Sequence, residues 1–575
     1  MIGRLRGALA ALLAVATLGS ACAPSAPAGG GAAVGAEQPQ AQAPRGPKNL
    51  AIGILREPQG LNEIINFGLT TSGNKQPLLI AHNYLAVRSA DQTWIPQLAA
   101  ELISIERGTW RVNPDGTMDT TWKIRPNVKW HDGTPFTADD LLFSLTVYKD
   151  PDIPNNIGNI LRAMESAQVV DPQTFAIHWS RIFVTANTAQ GLIPMPRHLM
   201  EQQYRTDKTN VPNNPILGNQ FVGLGPYKLV SWESGVSMNL TRFDDYFLGR
   251  PPLDTVTVKF VPDQNVMIAS VLAESIDVLL PLGVDLDAVT DIKRRWEGTG
   301  NQAFVADTGA LRYIMIQHRP DYGRPANGLT NRAVRQAFSH ATERATVSEV
   351  SQGGFAPAAD SWFSPNSALY AEVRASIPQY PYDLARARQL LSQAGWNQAT
   401  DGELTNAANG DRFEIEIRSS SGVGADRMLN TIADGWKAVG AQVNLNIVPA
   451  ALSSDPEYRV TFPGAQVTGN IFDMFFTDVL YSKNIAGPEN RWGGPNRSAY
   501  SNAAADTFSE KLAVTIDPAE RIALHKGMVA QVMGDAALVP LFFEQGAVLA
   551  LKGITGIRGS AENMNTWNMF EWNRD

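Results

Sequence analysis

Apolar residues recur along this chain with periods of two and of three to four, and their alternation predicts a mixed α/β protein. Asn49 to Leu55 reads as an opening strand, broken by the loop-forming run from Arg56 to Asn62. Trp122, Ile124, Val128 and Trp130 stand at even spacing around Pro126 and predict a pleated segment with one buried face. His131 to Pro135 is a turn: Gly133 permits positive φ, Asp132 can bond the backbone ahead of it, and Pro135 fixes its own φ. Thr137 and Asp140 have the spacing of a capping box, and Asp139 and Asp140 suit the positive end of the helix that starts there.

Further along, Ala167 to Trp179 predicts strands around Asp171-Pro172, and Tyr227 to Phe243 a hairpin around Ser234-Gly235. Val256 to Asp263, Val266 to Glu274 and Ser275 to Val278 read as strand, helix and strand, an order that suits a sheet covered by helices. Leu311 to Gln317 is an apolar strand. Val334, Phe338 and Ala341 form a helical stripe after Asn331, and Asp383 caps a helix that Gly395 stops. Phe413 to Arg418 and Gln442 to Ile447 alternate as strands on either side of a helix at 432–439. Asp517-Pro518 starts another helix, with proline at its first position, and Val539 to Phe543 is a late strand.

The run from Lys129 to Leu141 resembles, almost residue for residue, the signature of the family 5 extracellular solute-binding proteins, the peptide-binding components of ABC importers. The segments around Asn83-Tyr84, Pro96 to Glu101 and Gly223 to Gly235 carry the same resemblance, which runs from about Ala51 onward. It implies an α/β, two-lobed periplasmic-binding-protein-like fold of the class II Venus-flytrap type, with an extra β-rich subdomain in the first lobe. On that pattern residues 49–84 open the first lobe, 85–222 form the subdomain and 223–306 return to the first lobe. Residues 307–548 form the second lobe, 549–575 pack back on the first, and a hinge falls around 305–312.

Before the globular part, Arg4 and Arg6 precede a short apolar run, Ala8 to Leu18, and the small residues Gly19 to Ala21. This is the layout of an export signal, 1–21. Cys22, the only cysteine of 575 residues, follows at the cleavage position, so the segment resembles a lipoprotein signal in which Cys22 carries the lipid. The usual leucine three places before the cysteine is Gly19 here, and a plain secretory signal is the alternative. Residues 22–48 are rich in Ala, Pro, Gly and Gln and read as a tether. One cysteine excludes an internal disulfide and a cysteine metal site. A net charge of −8 argues against a nucleic-acid partner.

No phosphate loop, dinucleotide fingerprint, zinc-protease helix or nucleophile elbow occurs, and the seven histidines lack metal-ligand spacing. His131 reads as structural, and Asp139-Asp140 as capping rather than as a catalytic acid pair. The expectation is a binder, not an enzyme, needing no cofactor or metal. The resemblance implies a monomer that captures a peptide or other small solute between its lobes and delivers it to permease subunits in the membrane, held there by its lipid. It points to ligand contacts at Glu57 and Asn62 in the first lobe and at Asp478, Tyr481, Arg491 and Trp492 in the second. Family members often carry Gly-Trp and then an aspartate that meets the peptide amine; Gly-Trp is missing in that region here, and Asp478 is the nearest aspartate. Oligosaccharides or nickel complexes are alternative guests, and a surface glycan hydrolase, an adhesin or a receptor partner are alternative roles.

Overall fold

The computed structural model describes residues 46–58, 60–61, 75–89, 93–153, 159–189, 191–281, 286–325, 328–422, 424–449, 452, 455–471, 477–558 and 565–575. The expected export signal, Cys22, most of the expected tether and Asn62 lie outside the described residues. Ten strands form one sheet. In chain order they are β1 Asn49–Ile54, β2 Tyr227–Glu233, β3 Ser237–Arg242, β4 Thr255–Phe260 and β5 Val278–Leu279. There follow β6 Gln302–Ile316, β7 Glu414–Ser420, β8 Gln442–Val448, β9 Ala465–Ile471 and β10 Leu538–Ala550. Across the sheet the order is β8-β7-β9-β6-β10-β5-β1-β4-β3-β2. β1 pairs in parallel with β4 and β5, and its inner residues are buried on both faces, as a parallel strand between covering layers requires.

The fold is two-lobed and mixed α/β, and two strands run through both lobes. β6 and β10 pair twice: Gln302–Asp307 against Ala550–Gln545, then Leu311–Met315 against Phe543–Leu538, with the register shifted between. Both strands are longer than the sequence pattern predicts. The expected strand 311–317 begins nine residues earlier, and the expected strand 539–543 continues to Ala550. Asp307 and Gly309 in one strand, and Glu544 to Gly546 in the other, break the apolar pattern exactly where the ladder is bulged.

A second, four-stranded antiparallel sheet carries the signature region. Its strands are Trp110–Val112, Met118–Lys123, Thr174–Trp179 and Met164–Asp171 in spatial order. Trp122, Ile124, Val128 and Trp130 are all buried, as their spacing predicts, yet the strand stops at Lys123. Pro126 cannot donate to a ladder and Asn127 takes a left-handed φ of 62°, so alternation outlasts pairing. The helix Ala138–Lys149 follows. Asp140 accepts the Thr137 amide at 2.9 Å and the Arg197 amide at 3.1 Å, and Asp139 pairs with Arg197 at 3.0 Å. This acid pair closes helix ends.

Two neutral histidines join this region to the rest of the first lobe. His131 Nδ1 accepts the Gly223 amide at 3.1 Å, which leaves the ring proton on Nε2 to donate to Gly225 O, also 3.1 Å. His82 Nδ1 accepts the Leu224 amide at 3.2 Å and its Nε2 donates to Pro194 O at 3.0 Å. The His82 ring stacks on Trp130. A Cβ on Gly225 would lie 2.3 Å from the Ala81 carbonyl carbon, so only glycine lets the two backbones touch. Trp567, Met569 and Trp572 belong to the same hydrophobic cluster as Leu50, Ile52, Trp122 and Trp130.

Gly225→Ala should cost about 2–3 kcal/mol through overpacking, measured by urea unfolding; an unchanged midpoint would show that the chain gives way there. Burial holds His82 down to about 3, helped by His131, and His131 down to about 4. Both folded values lie below the unfolded value near 6.5, so the unfolded chain binds the extra protons as pH falls. Stability should be flat above pH 7 and drop by about 2 kcal/mol per histidine between pH 6.5 and 5. Urea midpoints that do not move over that range would contradict this account.

Candidate functional site

The bulge between the two β6–β10 ladders is built by its own polar residues. Asp307 accepts the Gly309 amide at 2.7 Å with one oxygen, and with the other the Ser364 hydroxyl at 3.0 Å and the Asn366 amide group at 3.2 Å. Thr308 donates to Glu544 O at 2.9 Å, and Arg312 pairs with the Glu544 carboxylate. Gly309 has φ 77°, which a residue with a Cβ rarely adopts. The bulged strand thereby turns Gly309 into the wall of a cavity of about 970 Å³.

Both lobes line that cavity. Arg88, Trp94, Ile103, Trp110, Val184 and Asn187 come from the first lobe and its subdomain. Trp362, Phe363, Leu369, Ile522, His525 and Phe543 come from the second. The Arg88 guanidinium lies over the Trp94 ring, 5.9 Å from its centroid. Trp362 packs beside Phe363, and Phe363 meets His525 edge to face at 5.6 Å. Burial, and then Arg521, pushes His525 down to about 4, so the imidazole in this wall is neutral at neutral pH. Arg521 donates to Leu512 O at 2.7 Å and Thr515 O at 2.8 Å, fixing the helix Pro518–Gly534 against the end of the helix Ala503–Val514. The surface is apolar and aromatic with a few oriented polar groups, which is the chemistry of a small-molecule or peptide cavity. Among the described residues no group of three or more His, Cys, Asp or Glu is placed to hold a metal, and no helix is long and apolar enough to cross a membrane.

The described residues among those singled out from sequence do not line this cavity. Glu57 borders a smaller cavity of about 440 Å³ with Pro58, Asn219 and Trp232. Its carboxylate accepts Trp232 Nε1 at 2.6 Å, the Gly235 amide at 2.8 Å and the Ser234 hydroxyl at 3.2 Å, which ties the end of β1 to the β2–β3 turn. Asp478 lies in the short helix Thr477–Leu480, where Asn484 donates to it; burial raises its carboxyl, against the pull of Arg181 from the first-lobe subdomain. Tyr481 donates to Glu510 at 2.7 Å. Arg491 and Trp492 are consecutive left-handed residues in a loop closed by the Trp492 amide on Gly487 O at 2.8 Å. None of Asp478, Tyr481, Arg491 and Trp492 lines either cavity. Sequence reasoning passed over Trp94, Trp110, Trp362 and Phe363. The loop run Ser361-Trp362-Phe363-Ser364-Pro365 carried the signal, because adjacent loop aromatics need a surface to cover.

Comparison with known proteins agrees with this fold. The oligopeptide-binding protein AppA of Bacillus subtilis is 28% identical over 343 residues, 58% of this chain and 59% of AppA, so the match spans less than two thirds of that relative. The AppA structure, in complex with a nonapeptide, superposes with a TM-score of 0.68 at 21% identity, over 92% of this chain and 99% of AppA. NikZ of Campylobacter jejuni in complex with Ni(L-His) superposes with a TM-score of 0.72 at 20% identity, over 92% and 99%. The model of the bacterial extracellular solute-binding proteins, family 5, matches residues 93–488, and this chain belongs to that family of ABC-transporter binding proteins.

Proposed function

We propose that this protein captures peptides in the interlobe cavity, without turning them over, and delivers them to a membrane permease. The observation that carries the reading is the cavity itself: about 970 Å³, walled by both lobes, at the place where two strands pass from one lobe to the other. That volume suits a short peptide, and AppA, the relative matched over 58% of this chain, is an oligopeptide-binding protein. Aromatic walls accept varied side chains. The hinge is proposed at residues 305–312, where the β6–β10 register breaks. Closure follows from differential contact: the guest favours the closed form only by what it touches in that form alone. The chain works as a monomer, with Cys22 carrying a lipid and residues 22–48 letting the lobes stand off the membrane.

Small-angle X-ray scattering of the purified protein should show compaction when a casein digest is added; an unchanged profile would remove peptides as the guest. Trp94→Ala and Trp362→Ala, from opposite lobes, should each weaken peptide binding by about tenfold or more while the protein stays folded. Calorimetric titration that finds wild-type affinity in both would move the site out of this cavity.

A further inference from the structure

The helix Pro518–Gly534 turns one stripe toward the cavity: Pro518, Arg521, Ile522, His525 and Met528 recur three and four residues apart, and all line it. Pro518, Ile522 and Met528 are apolar. Arg521 is engaged, since one of its nitrogens donates to Leu512 O and Thr515 O. That leaves His525. Its ring meets Phe363, another cavity residue, edge to face with centroids 5.6 Å apart, and the residue is only 8% exposed.

Three histidines are buried among the described residues, and His525 differs from the other two. His82 and His131 each have both ring nitrogens engaged by backbone groups. Neither ring nitrogen of His525 has a hydrogen-bond partner among the described residues. Neither nitrogen is sealed off, so both can be reached, and the space beside them is the cavity. Buried polar groups are ordinarily hydrogen-bonded, because a group taken from water without a partner loses what water gave it. Neighbouring polar groups of the second-lobe wall follow that rule. Ser364 donates to Asp307 at 3.0 Å, Ser367 donates to Ser364 O at 2.8 Å, and Asp517 accepts the Glu520 amide at 2.8 Å.

The surroundings select the partner. Burial and then Arg521, one turn earlier on the same helix face, keep His525 unprotonated at neutral pH. An unprotonated imidazole offers one N–H donor and one acceptor nitrogen. Arg521 repels a cation, and a charged group of either sign would lose hydration against Trp362, Phe363 and Ile522. An amide brings a matching acceptor and donor without a charge, and a peptide carries such groups along its whole backbone.

We propose that His525 is a specificity-determining contact of the cavity, hydrogen-bonding through its ring nitrogens to an uncharged amide group of the guest. The inference rests on the binding reading above and names the group by which this wall would recognise a peptide.

The first measurement needs no guest. Diethyl pyrocarbonate acylates reachable, unprotonated imidazole nitrogens, and tryptic mass spectrometry reads each histidine of the full protein separately. At pH 7 His525 should react about tenfold or more faster than His82 and His131, and the casein digest should slow it by about tenfold. A His525 as slow as His82 overturns the contact. The second measurement is the digest concentration that gives half-maximal compaction in X-ray scattering. His525→Phe keeps a ring against Phe363 but no hydrogen bond, and should raise that concentration by about tenfold or more. His525→Gln keeps a donor and an acceptor, and should stay within about threefold of wild type. A purely structural role would lower Tm in both variants without this split. Wild-type compaction in His525→Phe, or an equal loss in His525→Gln, overturns the proposal.

The third measurement again uses the wild-type sequence, so it answers even where a variant folds poorly. In protein labelled with 15N-histidine and saturated with the digest, His525 should keep the unequal nitrogen signals of an uncharged ring. Two equivalent, protonated nitrogens would assign a carboxylate of the guest and overturn the amide. A reactive His525 that the digest neither protects nor accompanies with compaction upholds the open contact and defeats peptides as the guest.

Discussion

Everything in this molecule depends on one pair of strands satisfying its backbone hydrogen bonds in two lobes at once. β6 and β10 pair in each lobe, and the three residues from Thr308 to Ala310 stand opposite Glu544 alone. A break in a ladder normally leaves polar groups exposed to loss. Here the Asp307 carboxylate and the Thr308 hydroxyl take up backbone groups that the missing rungs leave, and the Arg312–Glu544 ion pair braces the two strands beside them. The break is therefore stable in itself, and the lobes are joined through a segment whose geometry is already departed from regular sheet. That is the right place for a cavity wall, because backbone that is not committed to a ladder can face a guest.

Much of the local structure was legible in the sequence because its rules are local. Alternation named the buried Trp122 and Trp130, and turn chemistry named the hairpin at Gly235, whose φ is 74°. Capping residues named the helix starts at Asn331, Asp383 and Asp517, whose side chains accept the amides of Ala333, Arg386 and Glu520. What was not legible was non-local. The outer halves of β6 and β10 carry Asp307, Gly309, Glu544 and Gly546, and a pattern reader stops at such residues. They continue as strands because each supplies the other's hydrogen-bond partners from some 240 residues away, a fact that no window of sequence contains.

The cavity was harder still, for a related reason. A side chain earns a place in a wall by the direction its segment takes after folding, and composition says little about direction. Glu57 has the charge and the loop position of a contact, but three donors of the β2–β3 hairpin already occupy it. Tyr481 is engaged by Glu510 in the same way. Trp94 and Trp362 lie far apart in sequence, in segments with no regular pattern, and only the meeting of the lobes gives them a common space.

The weave of the chain has a consequence for how such a protein comes into being. β5 lies between β1 and β10, and Trp567, Met569 and Trp572 complete the apolar cluster built around Leu50 and Trp122. The first lobe thus waits for residues more than five hundred positions downstream before its interior is whole. A ribosome or a translocation channel that still holds those residues holds back the lobe's maturation, and a polypeptide bound for the outside of the cell crosses the membrane before it can lock.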